Sequence, residues 1–135
     1  MITRAAALAL TGCLAVSGAT AQTPAQGPQQ QAIGALTIFA VAYAAWIYDG
    51  RCHELDAAKR ADFQHLIEAD LLRLNEVFEP RLVGAATGSG QDTANSLTEC
   101  GGKNAGLGAF GLEQASDVAV KLRDLPPGYR ITVTP

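Results

Sequence analysis

The stretch AIGALTIFAVAYAAWIYDGRC, Ala32 to Cys52, decides how the rest of the chain is read. It holds no charged residue before Asp49 and closes on a cysteine. Such a run is either a short membrane span or the central helix of a small exported domain. From Ile33 to Tyr48 it covers 16 residues, about 24 Å as a helix at 1.5 Å per residue. A hydrocarbon core is about 30 Å thick and usually needs about 20 residues to span. The length favours a core helix, ended by Asp49-Gly50 with the glycine in the left-handed position after the last turn. Tyr43, Trp46 and Tyr48, close to one end, resemble an interfacial aromatic belt and argue the other way.

The residues before the stretch bear on the choice. Met1 to Arg4 gives a short positive start, Ala5 to Ser17 is apolar, and Ala19-Thr20-Ala21 sets small residues before Gln22. These are the three parts of a secretory signal peptide, over 1–21. Leu10-Thr11-Gly12-Cys13 competes as a lipobox that would lipidate Cys13, but the apolar run continues past it to the Ala-x-Ala site. Residues 22–31, QTPAQGPQQQ, are polar and uncharged with two prolines, which reads as a flexible linker.

Export also settles the cysteines. With Cys13 removed or lipidated, Cys52 and Cys100 remain, and a lone pair in an oxidising compartment is most simply one disulfide. It would close a loop of about 49 residues, worth roughly 4 kcal/mol by chain entropy. A membrane-spanning 32–48 segment would instead place both cysteines in the reducing cytosol. The pair therefore weighs towards an exported domain.

Four segments follow the linker. After 32–48, Asp56 is placed as the N-cap of a second helix running to Glu79-Pro80. Phe63, Leu66, Ile67, Leu71, Leu74, Val77 and Phe78 share one side of it. Residues 84–91, GAATGSGQ, read as a loop by composition, with a short helix over 92–100. Leu112, Ala115, Val118, Ala119, Leu122 and Leu125 repeat at helical spacing until Pro126-Pro127-Gly128 stops them. Within the tail 126–135, Tyr129 to Thr134 alternates like a strand with nothing to pair with. The expected architecture is an all-α domain over 32–125, of three to four helices, clamped by Cys52–Cys100 and followed by an extended tail.

Composition excludes more than it selects. A chain of 135 residues makes one domain, and its 48% hydrophobic content supplies a core. The net charge of −3 and the absence of any basic run longer than Lys59-Arg60 argue against nucleic acid. Gly106-Leu107-Gly108-Ala109-Phe110-Gly111 has the spacing of a dinucleotide loop. That chemistry also needs a preceding strand and an acidic residue about 20 positions on. Leu97 to Cys100 does not read as a strand, so close backbone packing is the expected role of these glycines. Cys52, His53, Glu54 and His65 carry ligand atoms at no recognised metal spacing, and Ser89 lies in no nucleophile motif. No catalytic, metal or cofactor site is expected.

Two features remain. Asp70 falls within the apolar stripe of the second helix, where a carboxylate is costly unless paired. Arg73, one turn on, is the expected partner in a buried ion pair, with Lys121 and Arg123 as substitutes. The helix over 32–48 is apolar all round, so part of it should lie against a partner protein or a second copy. Leu36, Phe39, Tyr43, Trp46 and Ile47 are the expected interface. The chain reads as a small periplasmic or secreted binding module of accessory, assembly, inhibitor or immunity type. The alternatives are a membrane-associated envelope subunit, anchored by a lipid on Cys13 or by 32–48, and a small-ligand carrier or enzyme using Asp70 and Arg73.

Overall fold

A computed structural model describes residues 27–131. Among them are four α-helices, α1 (Pro28–Cys52), α2 (Ala57–Val77), α3 (Pro80–Ser96) and α4 (Leu107–Arg123), with a 3₁₀ turn at Gly102–Asn104 before α4. The all-α class and the Cys52–Cys100 disulfide are as the sequence predicts, and the signal-peptide reading of 1–21 lies outside the described residues.

The first helix starts earlier and ends later than expected. Pro28 occupies the first helical turn, where its missing N–H costs nothing. Gln31 then ties the start to α4, its Nε2 donating to the Lys121 carbonyl at 2.8 Å. The C-terminal part of the predicted linker is therefore helix. At the other end the helix runs through Asp49-Gly50, and His53, not Gly50, adopts the left-handed cap at φ 51°. Its N–H closes on the Asp49 carbonyl at 2.8 Å. The full 25 residues span about 37 Å, so α1 is long and apolar enough to cross a membrane by length and composition. Length therefore does not favour a core helix; packing has to carry that reading instead.

That packing is extensive. Ala32, Ala35, Phe39, Ala42 and Ala45 of α1 are buried against Phe63, Ile67, Leu74 and Val77 of α2, Val83 of α3, and Ala115, Val118 and Leu122 of α4. Small residues on α1 let the neighbouring backbones come close. Gly90 of α3 leaves no room for a side chain, since a Cβ there would sit 2.7 Å from the Ala40 carbonyl oxygen. Gly111 of α4 does the same against Ala45 and Phe63, whose Cζ would lie at 2.8 Å. Both glycines trade helix propensity for interhelical contact.

α2 begins as expected, with the Asp56 carboxylate accepting from the Lys59 N–H at 2.8 Å. The loop expected over 84–91 is instead the middle of α3, which starts on Pro80 and ends at Ser96. Val83, Gly90 and Ala94 seat that helix on α1, so tertiary packing overrides the glycine-rich composition. The short helix expected over 92–100 is only the last turn of α3. After α4, Pro126-Pro127-Gly128 turns the chain and the Ile131 N–H bonds the Val77 carbonyl at 2.8 Å. No strand is present among the described residues.

Candidate functional site

Three polar or concave features stand out. The first is a clamp at the C-terminal end of α1. Asp49 is fully buried, and its Oδ2 accepts from Arg60 Nη1 at 2.7 Å while Oδ1 accepts from the Leu55 N–H at 3.0 Å. Arg60 also lies over the Trp46 ring, 5.0 Å from its centroid. Both carboxylate oxygens are thus satisfied, as burial demands.

Next to it, Glu54 binds the start of α4. Its Oε1 accepts from the Gly108 N–H at 3.0 Å and its Oε2 from the Gly106 N–H at 3.2 Å and the Tyr48 hydroxyl at 3.1 Å. The Gly108 N–H, helped by the Gly106 N–H and the Tyr48 hydroxyl, outweighs desolvation and holds the Glu54 carboxyl below its ordinary pKa. Tyr48 in turn accepts from the Gly101 N–H at 3.0 Å. The glycine pattern at 106–111 therefore does receive an anion at a helix N-terminus, but the anion is the protein's own carboxylate. A Cβ on Gly108 would stand 2.8 Å from Asp49 Oδ1, which explains the second glycine. The Cys52–Cys100 bridge and Arg51, whose Nη2 donates to the Ala94 and Leu97 carbonyls at 2.6 and 3.0 Å, complete the clamp. Its polar groups bond one another, which marks it as structural.

The second feature is an apolar groove of about 640 Å³ between α1 and α3, closed at one end by Leu107 and Phe110 of α4. Ala40, Ala44, Ala85 and Ala86 are among its small lining residues, and Leu36, Val41, Leu82 and Leu97 line it with bulkier side chains. Thr37, Ser89 and Thr93 are the polar residues lining it, and no charged side chain does. Ile33, one helical turn before Thr37, continues the same face of α1 and is 47% exposed, with Val41 at 46% and Phe110 at 45%.

The third is a smaller hollow of about 220 Å³ between α2 and α4, lined by Ala69, Asp70, Arg73, Ala119, Leu122 and Arg123. Asp70 is buried, and its Oδ2 has no hydrogen-bond partner among the described residues. Arg73 does not pair with it: Arg73 Nη1 bonds Glu76 Oε2 at 2.9 Å. Burial alone pushes the Asp70 carboxyl up to about 7.

The expected interface residues are dispersed. Phe39 is fully buried and belongs to the core. Tyr43 stacks on it with ring centroids 5.9 Å apart, and Trp46 meets Phe63 edge-on at 5.3 Å. Ile47 is half-buried, and of the five only Leu36 lines the groove. The open side of α1 is the Ile33, Thr37, Val41 strip, which sequence reasoning misses because the facing wall on α3 reads as loop. His53 and His65 are exposed, and no cluster of metal-ligating groups includes them among the described residues. Ser89 sits in the groove wall.

No protein-family model, curated protein or solved structure matches the chain. Its class is therefore defined by the geometry above: among the described residues, a disulfide-clamped four-helix domain with a charge-free groove. The disulfide fits an oxidising, extracellular or periplasmic setting.

Proposed function

We propose that the protein is an exported, non-catalytic binding module of the cell envelope, and that its α1–α3 groove receives an apolar helix of a partner protein. The observation that carries the reading is the charge-free groove lining. A groove without a charge selects an occupant without one, since an ionised group buried there would lack a counter-charge. The alanines lining the groove let a helix approach closely, as small residues do wherever helices pack backbone to backbone. Along α1 the lining from Leu36 to Ala45 covers about 14 Å, between two and three turns of a docked helix. The residues reading as a signal peptide support export, and the disulfide is consistent with it.

The test uses the oxidised mature chain, a synthetic Leu/Ala-rich helical peptide as probe, and an Ala86→Trp variant that fills the groove. Calorimetric binding of the peptide, lost in Ala86→Trp with the circular dichroism unchanged, is the expected result. Dimerisation in the ultracentrifuge that Ala86→Trp breaks, with no peptide binding, would assign the groove to a second copy and overturn the partner reading. So would the absence of both.

The length of α1 favours one further reading, a membrane-associated envelope subunit. There α1 would leave its contacts with α3 and α4 for lipid, and carbonate extraction of membranes would retain the protein in the pellet. Release into the supernatant is the outcome expected of the binding module.

A further inference from the structure

The α2–α4 hollow shares no lining residue with the groove, so a role for it is independent of the partner reading. A buried carboxylate oxygen without a donor is rare in folded proteins and calls for an explanation. At Asp70 the usual one, an ion pair, is absent among the described residues: Arg73 turns to Glu76, and Asp70 Oδ2 has no partner. The hollow exists because Ala69 on α2 and Ala119 on α4, which both line it, are too small to fill it.

The charges around it are ordered. Asp70 is nearly inaccessible at 2% exposure and forms the floor, whereas Arg123 is exposed and Arg73 half-buried, so the guanidiniums form the mouth. Glu76 offsets one of them, which leaves one anionic group below and one cationic group above. A simple cation would have to pass two guanidiniums. A simple anion would meet the Asp70 carboxylate. A metal ion would find one carboxylate, and no group of three or more metal-ligating side chains exists among the described residues. A volume of about 220 Å³ suits a small molecule rather than a large one. Ala69, Ala119 and Leu122 offer an apolar wall for a small aliphatic substituent.

We propose that the α2–α4 hollow is a binding site for a small zwitterionic amino acid, its ammonium group donating to Asp70 and its carboxylate accepting from Arg73 and Arg123. A guanidinium carries five N–H donors in a fixed fork, so Arg73 can keep its bond to Glu76 and still donate to a carboxylate.

The test is an amide chemical-shift titration of the oxidised mature protein with L-alanine, and in parallel with ethylammonium and propionate, which carry one charge each. Alanine should move the amides of Ala69, Ala119, Leu122 and Arg123, and neither half-ligand should do so at the same concentration. Asp70→Asn, which removes an unpaired buried charge and so keeps the fold, should weaken alanine binding about tenfold or more, and Arg123→Gln likewise. Shifts produced equally by propionate would reduce the site to an anion contact on the arginines and overturn the proposal. Ethylammonium acting alone, alanine shifts unchanged in Asp70→Asn, or no shift with any of the three would overturn it as well.

Discussion

Arg60 reaches Asp49 twice through one nitrogen: Nη1 donates to the carboxylate Oδ2 and to the main-chain carbonyl of the same residue, each at 2.7 Å. The contact joins the start of α2 to the last turns of α1, and it does so with Asp49 wholly out of water. Breaking a buried pair by deleting one partner leaves an uncompensated charge and typically costs about 3–5 kcal/mol. Arg60→Ala should destabilise the domain, read from its urea midpoint, by an amount at the lower end of that range because Arg60 remains partly solvated. Trp46 fluorescence should shift in the same variant, since the guanidinium over its ring is lost.

Asp70 gives the opposite sign. Its pKa is raised to about 7 in the fold, so the native state holds its proton more tightly than the unfolded chain. The stability linked to it is fully present below the unfolded value near 4, and is lost as pH rises towards 7. In a ligand-free protein Asp70→Asn should flatten this decline and stabilise the domain at pH 8 by roughly 2–4 kcal/mol. Equilibrium unfolding at pH 4, 6 and 8 measures it; a variant less stable than the parent at pH 8 would contradict the buried, unpaired carboxylate.

Glu54 moves the other way again. Its pKa is depressed by the α4 amides, so its contribution is present at neutral pH and fades as the carboxylate is protonated in acid, below its usual range. Glu54 is exposed, and Glu54→Gln should cost only about 0.5–1 kcal/mol at pH 7. Unfolding curves of the two proteins should draw together as the pH falls towards about 3.

Glycines inside helices separate into two kinds. Gly84 and Gly88 of α3 have open space where a Cβ would stand, with nothing within 4 Å, so Gly84→Ala should stabilise by about 0.5–1 kcal/mol through helix propensity. Gly111→Ala would drive a methyl into Ala45 and Phe63 and should cost about 1–3 kcal/mol. Thermal melts of the two variants, moving in opposite directions, check the close approach of α4 to α1.

Local and arithmetical signals are the ones that read through from the residues. The Asp56 cap, the apolar stripe of α2 and the Cys52–Cys100 pair are of this kind. The α3 helix is not: GAATGSGQ has poor helix propensity, and its seat on Ala40 and Tyr43 makes it helical. Asp49 reads as the end of α1 because Asp-Gly usually is one, whereas its partner Arg60 lies beyond the next turn and nothing local announces it. Without α3, the groove has only one wall in view, so the bulky stripe of α1 reads as outward-facing although Phe39 faces in.

Polar ties are distributed unevenly along α1. At its C-terminal end stand the disulfide, the Asp49–Arg60 pair, Glu54 on α4 and Arg51 on the end of α3. At its N-terminal end, Gln31 donating to the Lys121 carbonyl is the corresponding polar tie to another helix among the described residues. A load applied through the chain that precedes Pro28 would meet the bundle at this weaker end. The domain should peel from that side, turn by turn, and arrest where the cystine holds.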